Sequence, residues 1–326
     1  MITDTHQQFF QGVTKIFEAL QFDLSTPLLG CGGCFDLIAK KDALLILVKI
    51  YENIDNFRED QAYELRKLSS MLAGLPLIVG KRIRSNTEIE DGVVYSRYEI
   101  PVVSLETLHN LLIHKIPPLI FSHRGGFKVR FDGDLLKEKR IEKSLSLSDL
   151  AREVGVSKRA IYEYERGKID VSLETAMLIE EYLDEPLTLA INLFEEMQRI
   201  GSVTQPEKYS GAPRSDLEKD VKKHFDSIGM RDQLWTKKFP FRVLAKPKEE
   251  NDELEKSITT ITGITRKGSG NDFVKKIQVT YNVSRIADAN PLVVVGSEID
   301  QTEFKGVKIL SIDELTKLKK KKKEEE

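Results

Sequence analysis

One segment, residues 146–167, restricts what this chain can fold into more than any other part of it. Ala151 is small, Gly155 follows it by four positions, and the apolar Ile161 follows the glycine by six. A glycine at that place ends one helix and turns the chain sharply, and the small residue lets a second helix cross closely. Because Ser157 can cap that second helix, the spacing predicts two short helices packed near a right angle.

The start of the first of these helices is also marked. Ser146 can cap it, and Asp149 three residues later completes a pair with the spacing of a capping box. The second helix has Ile161 and Tyr164 on its inner face. An αα-corner inside some other helical domain is the alternative interpretation, but here every constrained position of the two-helix unit is filled.

These residues resemble the phage Cro and repressor type of helix-turn-helix domain, over about residues 134–194, and the ending Tyr162–Gly167 is typical of that family's recognition helix. The resemblance implies a DNA-binding domain over residues 133–198. In the family an Arg of the first helix pairs with a Glu late in the recognition helix, and the matching residues are Arg140 and Glu165. The implied helices are Leu135–Lys143, Leu147–Val154, Lys158–Arg166, Leu173–Leu183 and Pro186–Met197.

The whole chain further resembles an archaeal group of helix-turn-helix transcription regulators. That resemblance rests on Ser157–Gly167 and on the preceding Arg124-Gly-Gly126. It implies a role in transcription and names no target genes.

Helix geometry assigns roles within this domain. Side chains at the start of a recognition helix and one turn later face the major groove, where basic groups donate to guanine and acidic groups accept from cytosine. The expected groove-facing residues are Lys158, Arg159, Tyr162 and Glu163. The expected phosphate contacts are Arg166, Lys168 and the backbone amides of the helix starts at Ser146 and Ser157.

The charge distribution agrees with a local DNA-binding surface. The net charge of the chain is −2, so no global field attracts it to nucleic acid. Residues 115–170 carry 13 basic and 9 acidic side chains, whereas residues 171–196 carry seven acids and no Lys or Arg. We therefore expect one basic face for double-stranded DNA and an acidic face that points away from it.

The segments on either side of the helical domain resemble each other in four blocks that recur in the same order, among them Val13–Phe22 with Val221–Met230 and Pro76–Gly80 with Pro291–Gly296. We call them copy 1 (residues 1–115) and copy 2 (residues 215–318). Both show the periodicity of helix, strands, helix, strands. The expected fold class is α+β multidomain, with a five-helix domain between two similar α/β domains. The other predicted segments are a hairpin connector (116–132), a linker (199–214) and a charged tail (319–326).

Copy 1 faintly resembles restriction-endonuclease-like domains, with Asp36 on one strand and Lys49 on the next. Such nucleases hold Mg²⁺ with an Asp and a Glu-x-Lys, but Leu47 stands where the acid is needed, and copy 2 has Arg242 opposite Asp36. Too few oxygen ligands remain for a hard cation. We therefore expect a degenerate domain with no metal, no cofactor and no hydrolysis.

Residues 119–131 alternate around a Gly-Gly turn and predict a β-hairpin. Its basic residues, His123, Arg124, Lys128 and Arg130, could touch the DNA backbone as a wing. Equally, the hairpin could only dock the helical domain on its neighbour, and the pattern slightly favours docking.

The two cysteines, Cys31 and Cys34, have the C-x-x-C spacing of thiol-disulfide centres, but two small residues beside a glycine turn in a reducing compartment are the simpler interpretation. The first residues lack the features of a signal peptide, and no apolar run is long enough to cross a membrane. The sequence therefore predicts a cytoplasmic protein with no membrane partner.

A single recognition helix touches too few base edges for specificity in a genome, so we expect a homodimer that pairs through the flanking domains. Two alternatives from other classes stay open at this point. One is a bridging coactivator whose helical domain holds proteins of the transcription machinery, and the other is a metal-dependent nuclease.

Overall fold

The computed structural model describes residues 4–28, 33–84, 87–199, 211–237, 239, 241–247, 259–266, 270–296 and 302–315. The chain forms two compact units. Unit 1 contains residues 1–50, 56–77 and 198–326, and unit 2 contains residues 51–55 and 78–197. Within the described residues, no helix is both long and apolar enough to cross a membrane.

Copy 1 follows the predicted order of helix, strands, helix, strands. Its elements are α1 (Asp4–Ala19), β1 (Asp23–Leu24), β2 (Leu37–Lys41), β3 (Leu44–Asn53), α2 (Glu59–Met71), β4 (Leu75–Ile83), β5 (Thr87–Glu88), β6 (Val93–Arg97), β7 (Ile100–Val103) and α3 (Leu105–His109). The apolar run of β3, interrupted by Lys49, is buried from Leu45 to Ile50, as expected of a strand covered on both faces. Ser104 caps α3 by accepting a hydrogen bond from the amide of Thr107.

The predicted hairpin and helical domain come next. Their elements are β8 (Ile120–His123), β9 (Gly126–Val129), α4 (Gly133–Glu142), α5 (Leu147–Glu153), α6 (Lys158–Glu165), β10 (Val171–Ser172), α7 (Leu173–Leu183) and α8 (Leu193–Gln198). Inside unit 2, β8 pairs in parallel with β6, and β9 pairs antiparallel with β10. The hairpin thus joins the helical domain to the strands before it.

The fifth helix is shorter than the sequence predicts, because α8 begins at Leu193 and not at Pro186. The preceding residues make other hydrogen bonds that a helix would break. The Leu187 carbonyl accepts from the Asp132 amide, and the Leu189 amide donates to the Arg130 carbonyl. The Glu180 carboxylate accepts from the amides of Leu187 and Thr188, so this acid has a structural role.

Copy 2 repeats the outline of copy 1 with α9 (Asp216–Ser227), β11 (Asp232–Trp235), β12 (Val243–Lys246), β13 (Thr260–Thr265), α10 (Asn271–Ala287), β14 (Asn290–Val295), β15 (Glu303–Phe304) and β16 (Val307–Ser311). Its strand order is β11-β12-β13-β14-β16-β15. Val221 and Phe225 of α9 lie in the core of this domain, at the positions that Val13 and Phe17 occupy in α1.

Strand pairing supports the predicted duplication. The order β1-β2-β3 is antiparallel throughout, as is β11-β12-β13. The parallel pair β4/β7 and the antiparallel pair β6/β7 match β14/β16 and β15/β16. Leu37 lies opposite Val48, and Val243 lies opposite Thr262, so Gly263 in copy 2 occupies the position of Lys49 in copy 1. The fold class is therefore the expected one, with a helical domain between two similar α/β domains.

Candidate nucleic-acid interface

The packing of α5 against α6 determines how the recognition helix is presented. Ala151 and Ile161 are buried between the two helices, together with Leu150 and Tyr164. Gly155 has a φ of +70°, a conformation that glycine adopts without strain. The spacing that defined this segment in the sequence thus corresponds to a close helix crossing that fixes the orientation of α6.

Both helix starts are capped by the serines expected there. The Ser146 hydroxyl accepts from the Asp149 amide at 3.1 Å, and the Asp149 carboxylate accepts from the Ser146 amide at 3.0 Å. The Ser146 hydroxyl donates to the Asp149 carboxylate, and this bond lowers the pKa of that carboxyl below its usual range. The Ser157 hydroxyl accepts from the Ala160 amide at 3.1 Å. Both serines are exposed, so the two helix starts face solvent.

An ion pair connects α4 to the end of α6. Arg140 donates from Nε to Glu165 Oε1 at 2.5 Å and from Nη2 to Oε2 at 3.1 Å, and both side chains are about nine-tenths buried. Its Nη1 donates to the Leu145 carbonyl at 2.8 Å. These bonds engage all three nitrogens of the guanidinium and hold the recognition helix against the first helix.

Gly133 has a structural role that was not predicted from the sequence. A Cβ atom at this position would lie 2.4 Å from the Glu165 carbonyl oxygen, so only glycine fits where α4 starts beside the end of α6. A glycine at a helix start is a weak signal in sequence, because its need here comes from a neighbour 32 positions away, as the numbering of Gly133 and Glu165 shows.

The outer face of α6 presents the predicted DNA-binding side chains. Lys158, Arg159 and Tyr162 are exposed, and Glu163 is half-buried. Beyond the helix, Arg166 and Lys168 are exposed as well. Arg166 donates to the Tyr162 hydroxyl at 3.3 Å and its guanidinium lies 5.3 Å from the ring centre, so a predicted phosphate-contacting residue touches a predicted groove-facing one.

An open cavity of about 740 Å³ lies beside this face. It is lined by residues from the start of α4 and the end of α6, including Lys137, Arg166 and Lys168. Lys137 is exposed and adds a third cation to the same surface, although it is absent from the residues predicted to contact DNA. Its only signal in the sequence was membership of the basic segment.

The hairpin makes contacts that favour docking over a DNA wing. His123 lies 3.5 Å from Asp170, and Arg130 forms an ion pair with Glu196 at 2.8 Å. The Arg130 guanidinium also stacks over Phe121, 4.3 Å from its ring centre. Two of the four basic residues are thus engaged by acids of the helical domain.

The acidic segment after Val171 forms a different surface. On α7, the side chains of Glu174 and Glu181 are exposed, and so are Met177, Leu178 and Tyr182 between and beside them. Residues 171–196 contain no Lys or Arg, so this face is apolar and acidic.

The nuclease-like residues of copy 1 meet inside the protein. Lys49 is buried and donates from Nζ to Asp36 Oδ1 and to the Gly33 carbonyl, both at 2.9 Å. The other Asp36 oxygen accepts from the Ile50 amide at 2.9 Å. Leu47 is fully buried on the same strand.

These residues do not fit a divalent metal ion, because both Asp36 oxygens are already engaged and Leu47 offers no ligand. Within the described ranges, no group of three His, Cys, Asp or Glu side chains could hold a metal. Copy 2 departs further, since Gly263 replaces the lysine and Arg242 replaces the aspartate. Arg242 instead pairs with Glu218 at 2.8 Å and 3.2 Å.

Cys34 is fully buried, and burial raises the pKa of its thiol well above its ordinary value, with the nearby Glu64 adding to the effect. A thiolate is therefore disfavoured at this position. Cys31 lies outside the described residues, so the redox pair stays a hypothesis.

The fold and the capped helix pair define a helix-turn-helix protein that also carries a nuclease-like domain. A family model described as a PD-(D/E)XK superfamily domain matches residues 6–118, and a helix-turn-helix model matches residues 136–189. The first match confirms the predicted restriction-endonuclease-like fold of copy 1. No solved structure is significantly similar to this chain.

Archaeal relatives extend the likeness over most of the chain. A protein of Methanocaldococcus jannaschii is 34% identical over 304 residues, which cover 93% of this chain and 90% of the relative. A protein of Pyrococcus horikoshii is 37% identical over 264 residues, with 81% and 79% covered. Both carry the name "Putative HTH-type transcriptional regulatory protein". This chain belongs to the same archaeal family.

Proposed function

We propose that this chain is a sequence-specific regulator of transcription that binds double-stranded DNA and reads its major groove with α6. The observation that carries the proposal is the row of exposed Lys158, Arg159 and Tyr162 on a helix whose opposite side is locked by packing and by the Arg140–Glu165 pair. A rigid helix with donors along one edge suits the pattern of acceptors that guanine presents in that groove.

Within this proposal the residues divide by role. Lys158 or Arg159 donates to guanine, and Glu163 accepts from cytosine. Arg166, Lys168 and Lys137 contact phosphates, and backbone amides of the helix starts at Ser146 and Ser157 do the same. Tyr162 holds Arg166 at the rim of the groove through the hydrogen bond described above.

The test is selection of bound duplexes from random DNA, followed by titration of the selected site and a scrambled site. We expect one sequence to be enriched and Arg159→Ala to reduce the preference for it. If no sequence is enriched, or if neither Arg159→Ala nor Lys158→Ala changes the preference, the proposed reading by α6 is wrong.

We also propose that the protein is not an enzyme and needs no cofactor. Leu47 stands at the position where an active nuclease of this fold has a metal-binding acid, and the Asp36 carboxylate is paired with Lys49. The family match leaves a nuclease as the competing function, so the binding assay includes a lane with Mg²⁺ and a lane with Mn²⁺. Because a regulator of this kind acts on the chromosome, we propose that the protein works in the cytoplasm.

Two chains are proposed to bind together, because each supplies one recognition helix and half-sites about 34–36 Å apart match one turn of DNA. Inside unit 1 the two flanking copies already contact each other, with Lys67 and Asp232 paired at 2.6 Å. The surfaces through which the two copies meet are therefore buried within one chain, and a second chain must bind to other surfaces. Sedimentation with and without a two-half-site duplex measures this stoichiometry.

A second candidate is a bridge between proteins of the transcription machinery. It is favoured by the exposed apolar face of α7, where Met177, Leu178 and Tyr182 lie beside Glu174 and Glu181. Exposed apolar side chains that cluster on one face are typical of protein-binding surfaces. The same titration separates the candidates, since a pure bridge has no measurable affinity for the selected duplex.

A further inference from the structure

The two copies pack against each other in a reciprocal way within unit 1. Helix α10 of copy 2 packs on β2 of copy 1, and helix α2 of copy 1 packs on β12 of copy 2. These are equivalent elements of the duplicated domain. The contact therefore has the form of a two-fold interface, in which the same patch of each copy meets the other.

One segment of copy 2, which we call the covering segment (Thr236, Lys237, Phe239 and Phe241), lies against the nuclease-like residues of copy 1. The Phe239 ring stacks on Phe35, with ring centres 4.7 Å apart. A Cβ atom at Gly33 would lie 2.5 Å from the Phe239 ring, so the ring presses directly on the backbone that accepts the Lys49 hydrogen bond. Phe241 stacks behind Phe239 at 4.8 Å.

Polar contacts also hold the covering segment against α2 of copy 1. The Lys237 amide donates to the Glu64 carboxylate of α2 at 2.9 Å, and Glu64 is buried. The Lys237 ammonium lies 4.0 Å from Asp60, one turn earlier on the same helix. The aromatic contact is made at Gly33 and Phe35, on either side of Cys34 in the sequence, and the amide contact is made at Glu64, so the buried Cys34 lies next to the covered residues.

We infer that copy 2 closes the Asp36–Lys49 site of copy 1, with the covering segment packed over the residues beside it. In active members of the fold the equivalent residues hold metal and DNA, whereas here Asp36 and Lys49 pair with each other and the covering segment packs on the adjoining Gly33 and Phe35. Copy 1 thus serves to hold copy 2, and its nuclease-like site is not a surface for nucleic acid. This inference stands without the proposed role of α6.

The experiment measures how fast a thiol reagent modifies Cys34, in the full chain with Cys31→Ser so that only one thiol reacts. Wild-type packing protects Cys34, whereas Phe239→Ala opens the cover and accelerates modification by about tenfold or more. The matched control is Phe304→Ala, since Phe304 packs on a different cluster of copy 2. Equal rates in Phe239→Ala and the control, with both variants folded, overturn the inference.

Hydrogen exchange keeps the inference testable if Phe239→Ala does not fold. The Lys237 amide should exchange slowly in the wild-type chain and at least about tenfold faster in Glu64→Ala, while the Thr236 amide, which donates to the Arg242 carbonyl within copy 2, changes little. Fast exchange of the Lys237 amide in the wild-type chain overturns the inference. Loss of DNA binding by α6 variants has no bearing on either result.

Discussion

Arg140 of α4 donates hydrogen bonds to both carboxylate oxygens of Glu165 at the end of α6, so the position of the recognition helix depends on a buried ion pair. Removing one partner leaves a buried charge uncompensated. We expect Arg140→Ala to destabilise the domain by about 3–5 kcal/mol, and the double change with Glu165→Ala to be less harmful than the sum of the single changes. Chemical denaturation of the full chain measures both. A loss below about 1 kcal/mol, the size of an exposed pair, would contradict the structural role.

The close approach of Gly133 to the end of α6 predicts a steric effect. Gly133→Ala places a methyl group against the Glu165 carbonyl, and overpacking of this kind costs about 1–3 kcal/mol. Glu138→Ala, on the exposed face of the same helix, is the control and should change stability little. If the two variants unfold at the same denaturant concentration, α4 and α6 are farther apart than the structure shows.

Base-reading and phosphate-contacting residues should respond differently to salt. Arg159→Ala should cost about 1–3 kcal/mol on the selected site and relax sequence preference. Lys168→Ala should weaken binding to all DNA alike and lower the slope of log affinity against log salt by about 1. Glu181→Gln on the acidic face is the control, since Glu180 has a structural role. The opposite pattern, with Lys168→Ala altering specificity, shows that the register of α6 is wrong.

The closed nuclease-like site predicts stability effects without catalysis. Lys49→Met leaves Asp36 buried without its cation, so we expect a loss of about 3–5 kcal/mol in unfolding free energy and unchanged DNA affinity. Lys41→Met on the neighbouring strand is exposed and serves as the control. Neither the wild-type chain nor either variant should cut duplex DNA with Mg²⁺ or Mn²⁺. Metal-dependent cleavage that disappears in Lys49→Met would refute this interpretation.

Copy 2 should lose stability in acid through Glu218. Burial alone raises the pKa of this carboxyl, but the hydrogen bond from Arg242 and the amide of Arg214 outweigh it and leave the pKa below its usual range. A carboxyl with a lowered folded-state pKa stabilises the protein above its unfolded-state pKa, and the contribution disappears as the pH falls through the folded-state pKa.

The measurement compares the wild-type chain with Glu218→Gln by urea unfolding between neutral pH and about pH 3, below the usual carboxyl range. The stability difference between them should shrink as the pH falls. Asp220→Asn, an exposed carboxylate on the same helix, is the control and should show a smaller change. A difference that stays constant with pH contradicts the proposed link.

Local rules determined the helix-turn-helix from the sequence alone. Caps at Ser146 and Ser157, the turn at Gly155 and the inner face of α6 depend on neighbours within one or two helical turns, so their residue types and spacing already specify the geometry. The order of helices and strands that copy 1 and copy 2 share could also be predicted, because each strand and helix has its own apolar periodicity.

Only the tertiary structure decided how distant parts of the chain meet. The fifth helix starts late because Glu180 and the backbone around Asp132 take the hydrogen bonds that a helix at Pro186 would need. The closure of the Asp36–Lys49 site depends on the contact of Phe239 with Gly33, which lies 206 positions earlier in the sequence. Such contacts are selected by packing and by the satisfaction of buried polar groups, which involve residues far apart in sequence and leave no periodic signal in it.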